Sequence, residues 1–338
     1  MSKKIVTFGE IMLRLAPVGY DRFVQAESFG AVYGGGEANT AVSLSCFGYD
    51  AKFITKLPAH EIGQAAVNAL RRYGVDTSGI IRGGDRVGIY YLERGAAQRP
   101  SKVIYDRAGS AFARAEASEF DWKKELEGAD WFHITGITPA LGDELAAAAL
   151  EAVKTAKSMG ITVSCDINYR KKLWDAEKAG RVMAEICRYV DVYIGGRDQA
   201  EELFGIKTNA RDDADYDAYK AVAEQLKERF GFKKVAITLR TTISSNANKW
   251  AALLYDGEKH CFSTEYRIDD IVDRVGGGDS FAAGLIYAEL EGMDSQSAVD
   301  FAAAASCLKL SVEGDANLVT VDEVRALASG AGSARVQR

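Results

Sequence analysis

Between Trp131 and Leu239 short apolar runs alternate with long helical ones, and few architectures accept that rhythm. WFHITG, TVSCDIN, DVYIGG and KVAITL have strand length and strand composition. ELAAAALEAVKTAKSMG and DYDAYKAVAEQLKERFG between them carry helical periodicity. Repeated strand–helix units need crossover connections, which lay parallel strands side by side and put helices on both faces. The expectation is an α/β chain of three layers with a mostly parallel central sheet. KIVTFG near the N-terminus and AKFITKL after Tyr49 read as further strands, with EANTAVSLSCFG and HEIGQAAVNALRRYGV as helices, the second closed by Gly74.

Two segments break the rhythm. Residues 12–34 mix aromatic and polar side chains without a helical period, and residues 86–110 hold two β-rich runs, GIYYLE and KVIYD, separated by Gly95 to Pro100. Together they read as a small β-rich excursion, built from two separated segments, inserted into one domain of residues 1–328. The tail 329–338 is small and polar and reads as disordered.

A formal net charge of −6 gives no sequence-independent hold on nucleic acid. No run approaches the roughly 18 apolar residues of a membrane span, and the N-terminal apolar run is broken by Gly9 and Glu10, too early for a signal peptide. The five cysteines are scattered and form no CxxC pair, so reduced thiols are expected, and the three histidines show no zinc spacing. These features read as a cytoplasmic protein with small-molecule partners and no resident metal site.

The chemistry concentrates in IVDRVGGGDSFAAGLIYAEL, residues 271–290. Three consecutive glycines weaken any regular element, yet they let successive amides converge on an anion at the start of a helix. Asp279 beside such a nest would repel the anion unless it serves as the base for an attacking hydroxyl. The bland alternative is that Asp279 or Ser280 caps the helix while the glycines make a tight turn. Neither G-x-x-x-x-G-K-[ST] nor G-x-G-x-x-G occurs.

IVDRVGGGDSF resembles the D-x-x-G-[AG]-G-D-x-F signature of the ribokinase-like (PfkB) carbohydrate kinases. Gly34, Gly35 and Asn39 in GGGEAN match that family's sugar-side motif, and FGEIMLRLAP resembles its opening strand. The similarity runs from about Ile5 to Val324. It implies a ribokinase-like fold with ATP and Mg2+, Asp279 as base, and an anion hole from the amides of Gly276, Gly277 and Gly278. It also implies Asp273 near the triphosphate, Thr238 and Arg240 beside ATP, and Ala303 and Ser306 on the helix flanking adenine. It implies further that the β-rich segments 12–34 and 86–110 form a lid that would cover the sugar and build a homo-oligomer.

DINYRKKLW, from Asp166 to Trp174, resembles a D-x-N-x-R-x-x-L-W segment of 2-keto-3-deoxygluconate kinases, and Tyr105-Asp106-Arg107 with Tyr90 resembles their lid. Guanidinium forks suit a planar carboxylate, so Arg170 and Arg107 are expected to hold the acid end of a sugar acid. The implied reaction is ATP-dependent phosphorylation of the terminal hydroxyl of 2-keto-3-deoxygluconate. Plainer readings stay open: Arg170 and Arg107 as surface arginines paired with Asp166 and Asp106, Tyr90 and Tyr105 as lid packing, Asn39 as a helix-start residue. So do a neutral-sugar kinase acting on fructose and a sugar-acid-binding relative without turnover. In YIGGRDQAEELFG, Gly196 and Gln199 stand where the family's N-x-x-E motif has asparagine and glutamate, which leaves Asp198 or Glu201 as substitutes in organising magnesium, or magnesium held mainly by ATP.

Overall fold

The computed structural model describes residues 3–208 and 215–331, so most of the tail at 329–338 lies outside the described residues. Its main sheet runs in the order His260–Phe262, Asn248–Tyr255, Lys234–Thr242, Val192–Gly195, Thr162–Asp166, Trp131–Thr135, Lys4–Phe8, Asp50–Leu57 and Ile80–Arg82, with Tyr266–Ile268 added on Asn248–Tyr255. From Lys234–Thr242 to Ile80–Arg82 every neighbouring pair is parallel, and only the far end turns antiparallel.

Alternating strand residues feed two cores. Val192 and Ile194 point to one, with Leu44, Phe281 and Phe301 from the helices Gly36–Cys46, Gly277–Leu290 and Ser295–Lys309. Tyr193 points to the other, with Leu145, Met183 and Val222 from Asp143–Ser158, Ala176–Cys187 and Tyr216–Phe230. This is the period-two geometry of a strand covered on both sides, and it gives the expected three-layer α/β fold. His133 belongs to this interior: it bonds Ser164 Oγ at 2.8 Å and burial holds its pKa down at about 3.

A separate four-stranded sheet, Phe29–Gly34, Met12–Pro17, Ile89–Glu93 and Lys102–Asp106 in spatial order, comes from the two excursions. Its register places Val32, Arg14, Tyr90 and Tyr105 in one row on one face, and Ala31, Leu15, Tyr91 and Ile104 in the next row on the other. The antiparallel hairpin of Lys234–Thr242 and Asn248–Tyr255 is hidden in the sequence, where TLRTTISSNAN reads as irregular. The first strand outruns the covering helices, so its last three residues are exposed and carry no apolar alternation.

Candidate active site

A cavity of about 570 Å³ opens where the carboxyl ends of the parallel strands meet the N-termini of Gly36–Cys46 and Gly277–Leu290, the usual ligand position in such sheets. Gly34, Gly35, Asn39, Tyr90, Tyr105 and Arg170 line it. Thr238, Arg240 and Ser306 line it too, together with Gly276, Gly277, Gly278 and Asp279.

The glycine joint works through its backbone. Gly276 has φ 82°, a left-handed value that suits glycine, and a Cβ there would run into the Asp315 carbonyl. No side chain caps the helix that follows, so the capping alternative is not what the structure has. Ser280 turns inward instead, donating to the Ala305 carbonyl at 2.9 Å and accepting from Asn317 Nδ2 at 2.6 Å. The first amides and positive dipole end of the helix are left facing the cavity.

Asp279 is held from the N-terminal motif, 240 residues away. Asn39 Nδ2 donates to its Oδ2 at 2.7 Å, while Asn39 Oδ1 accepts from the Gly35 amide at 3.3 Å. Asn39 therefore aims the carboxylate rather than simply starting a helix. Burial pushes the Asp279 pKa up to about 7; the Asn39 bond and Arg170 oppose the shift, and the charges of Asp166 and Glu37 add to it. Asp166 rises to about 6 for the same leading reason, with Arg170 and the Asn168 amide holding it down. Glu37 lies beneath, its Oε1 accepting from the Thr135 amide and from the hydroxyls of Thr135 and Thr138. A half-buried carboxylate that burial raises to about 7, beside an uncapped helix N-terminus, has the chemistry to accept a proton next to a bound anion.

Arg240 and Arg274 also line the cavity and bring two cations together; burial first, and then Arg240, lowers the pKa of Arg274. Gly196 and Gln199 explain the departure at YIGGRDQ: Gln199 Oε1 accepts from the Gly196 amide at 3.0 Å and closes the start of Arg197–Phe204. Asp198 lines the cavity with its side chain almost wholly exposed, and among the described residues no cluster of three or more His, Cys, Asp or Glu side chains could hold a metal.

Three expected residues do not line the cavity. Asp273 is buried, paired with Arg14 Nη2 at 2.6 Å and accepting from the amides of Val275 and Gly314, so it braces the glycine loop from behind. Arg107 turns into the protein, where both Nε and Nη2 donate to Glu10, and Asp106 pairs with Arg86 instead. Ala303 is fully buried between helices, whereas Ser306 reaches the site and donates to the Gly277 carbonyl at 2.7 Å. Asp315 has no counterpart in the sequence motifs: it accepts from Tyr90 Oη and from Arg14 Nη1, closing a buried link between the small sheet and the glycine loop. Its only sequence signal is an acid in the short GDAN turn.

Residues 2–321 match the pfkB family carbohydrate kinase. The chain is 50% identical to 2-dehydro-3-deoxygluconokinase of Thermotoga maritima, whose crystal structure superposes with a TM-score of 0.95 over 97% of this chain and 100% of that one. It is 34% identical to a 2-dehydro-3-deoxygalactonokinase of Haloferax volcanii over 100% of both chains. It is 29% identical to a 2-dehydro-3-deoxygluconokinase of Bacillus subtilis, over 93% of this chain and 92% of that relative. With the glycine loop, Asp279 and Asn39 meeting at one cavity, these likenesses place the chain in the pfkB family of carbohydrate kinases.

Proposed function

We propose that the chain transfers the γ-phosphate of ATP to the terminal hydroxyl of 2-keto-3-deoxygluconate, giving 2-keto-3-deoxy-6-phosphogluconate. The observation that carries the reaction is the Asp279 carboxylate, held by Asn39 beside the uncapped start of Gly277–Leu290. Asp279 takes the proton of the attacking hydroxyl, and the amides of Gly276, Gly277 and Gly278 face the oxygens on which charge builds. Arg240, Arg274, Thr238 and Ser306 line the end assigned to the nucleotide.

Magnesium supplies neutralisation of phosphate charge when it is bound with ATP. The cavity carboxylates Asp166 and Asp198 suit a hydrated cation held chiefly by the nucleotide. Arg170, Tyr90 and Tyr105 are assigned to the sugar acid, with Arg170 the one cavity-lining arginine of the two foreseen for its carboxylate. The homo-oligomer is assigned to the outer face of the lid, where Ile104 and Phe29 are exposed.

The deciding experiment measures ATP consumption over a panel of 2-keto-3-deoxy sugar acids with fructose as neutral control, and identifies the product by 31P NMR. The expected result is turnover of 2-keto-3-deoxygluconate with a kcat/KM at least about 100-fold above fructose. Equal use of fructose, or no turnover of any sugar acid, overturns the proposal. The galacto epimer is included because the Haloferax volcanii relative, similar over its whole length, is named for it.

A further inference from the structure

Lys309, the last residue of Ser295–Lys309, is fully buried and its ammonium meets no carboxylate oxygen among its hydrogen-bond partners. Its Nζ donates to three backbone carbonyls: Gly314 at 2.6 Å, Val312 at 3.1 Å and Asp273 at 3.2 Å. Two of these belong to the turn after its own helix, and the third belongs to the segment leading into the glycine loop. Three acceptors match the three N–H bonds of an ammonium, whereas a neutral amine has two. Burial lowers its pKa to about 8, while the nearby charges of Asp273 and Asp315 raise it.

A buried cation is costly unless its surroundings replace water, and an apolar side chain would fill the space at less expense. What the cation gains is geometric. Its Cε lies 3.3 Å from where a Cβ of Gly276 would stand, so it packs under the first residue of the anion hole. Three carbonyl dipoles that would otherwise repel one another are drawn onto a single charge, which ties the turn 312–314 to the strand-side segment at Asp273. The same turn leads into Asp315, which the lid residues Arg14 and Tyr90 grip.

We propose that Lys309 is a positioning residue: a tethered cation that fills a cage of carbonyl oxygens and fixes the anion-hole loop, so that phosphoryl transfer needs no added monovalent cation. The proposal rests on the kinase reading for its rate arm only.

The test compares wild type, Lys309→Ala and Lys309→Met in tetramethylammonium chloride, a cation too large for the cage, and in ammonium or potassium chloride at equal ionic strength. Two readouts are taken, sugar-acid phosphorylation and the thermal melt of the ligand-free protein. Wild type is expected to be indifferent to the cation in both. Lys309→Ala is expected to lose about 100-fold in kcat and to recover at least about tenfold of it, saturably, in ammonium or potassium. Its melting temperature should rise with the same cations. Lys309→Met fills the space without charge and should recover neither.

A wild type that slows when potassium is replaced by tetramethylammonium overturns the proposal without reference to any variant. So does a folded Lys309→Ala protein that keeps the wild-type rate, or one whose melt ignores ammonium and potassium. Because the melt needs no substrate, a wrong substrate assignment would show as absent turnover beside an intact cation response of the variant.

Discussion

As the proposed base, Asp279 would need a charge in a setting that resists charge. Removing the carboxylate in Asp279→Ala is expected to lower kcat by about two to four orders of magnitude, measured under saturating ATP; an unchanged kcat removes its assignment as base. With its pKa up at about 7, kcat/KM should fall about tenfold per pH unit below neutrality. A profile flat from pH 5 to 8 would show that another group takes the proton. The same shift makes a stability prediction. A carboxyl raised from 3.8 to about 7 on folding favours the folded state most at low pH, and that contribution is lost as pH rises through 7. Asp279→Asn should therefore stabilise the protein by roughly 1–3 kcal/mol at pH 8, a gain that grows between about pH 4 and 7 and then levels. Urea unfolding at pH 5 and pH 8 checks it, and an equal effect at both pH values contradicts it. Asp279 was legible because acid, glycines and helix are contiguous; that Asn39 aims it was not, since only the fold brings two residues 240 positions apart into one hydrogen bond.

Among the elements, the strand Met12–Pro17 sends Arg14 across to the loops that carry Asp273 and Asp315, and all three side chains are essentially buried. The small sheet and the glycine loop are thereby joined by buried ion pairs. Arg14→Met leaves two buried carboxylates without the cation that bonds both of them, with only Lys309 nearby, and should cost about 3–5 kcal/mol, read as a lower urea midpoint at unchanged slope. A loss below about 1 kcal/mol would mean that water reaches the cluster. Sequence spoke clearly for the parallel strands, because double-sided burial forces continuous apolar runs such as WFHIT and DVYIG. It spoke poorly for the ion pairs, because an arginine in MLRLAP looks the same whether it faces solvent or two acids 259 and 301 residues on. Arg107 shows the converse: a motif named it for the substrate, and its geometry commits it to Glu10.

At the level of the whole molecule, the small sheet has to serve two surfaces at once. One row, Val32, Arg14, Tyr90 and Tyr105, looks toward the cavity and the glycine loop; the row behind it, Ala31, Leu15, Tyr91 and Ile104, is apolar. Phe29 and Phe23 pack edge-on against Tyr91 of that outer face, and Ile104 remains 53% exposed. An apolar sheet face left in water is the usual mark of an interface, which is why the homo-oligomer is assigned here. Ile104→Lys puts a charge on the edge strand of that face while leaving the inward row untouched. Sedimentation of the wild type should give a multiple of 36.6 kDa, and the Ile104→Lys protein should sediment as a single chain with an unchanged thermal melt at low concentration. Because Tyr90 and Tyr105 sit on the opposite face of the same strands, loss of the partner should raise KM for the sugar acid more than it lowers kcat. A wild type that sediments as a single chain at assay concentrations would reassign the outer face to packing within the lid alone.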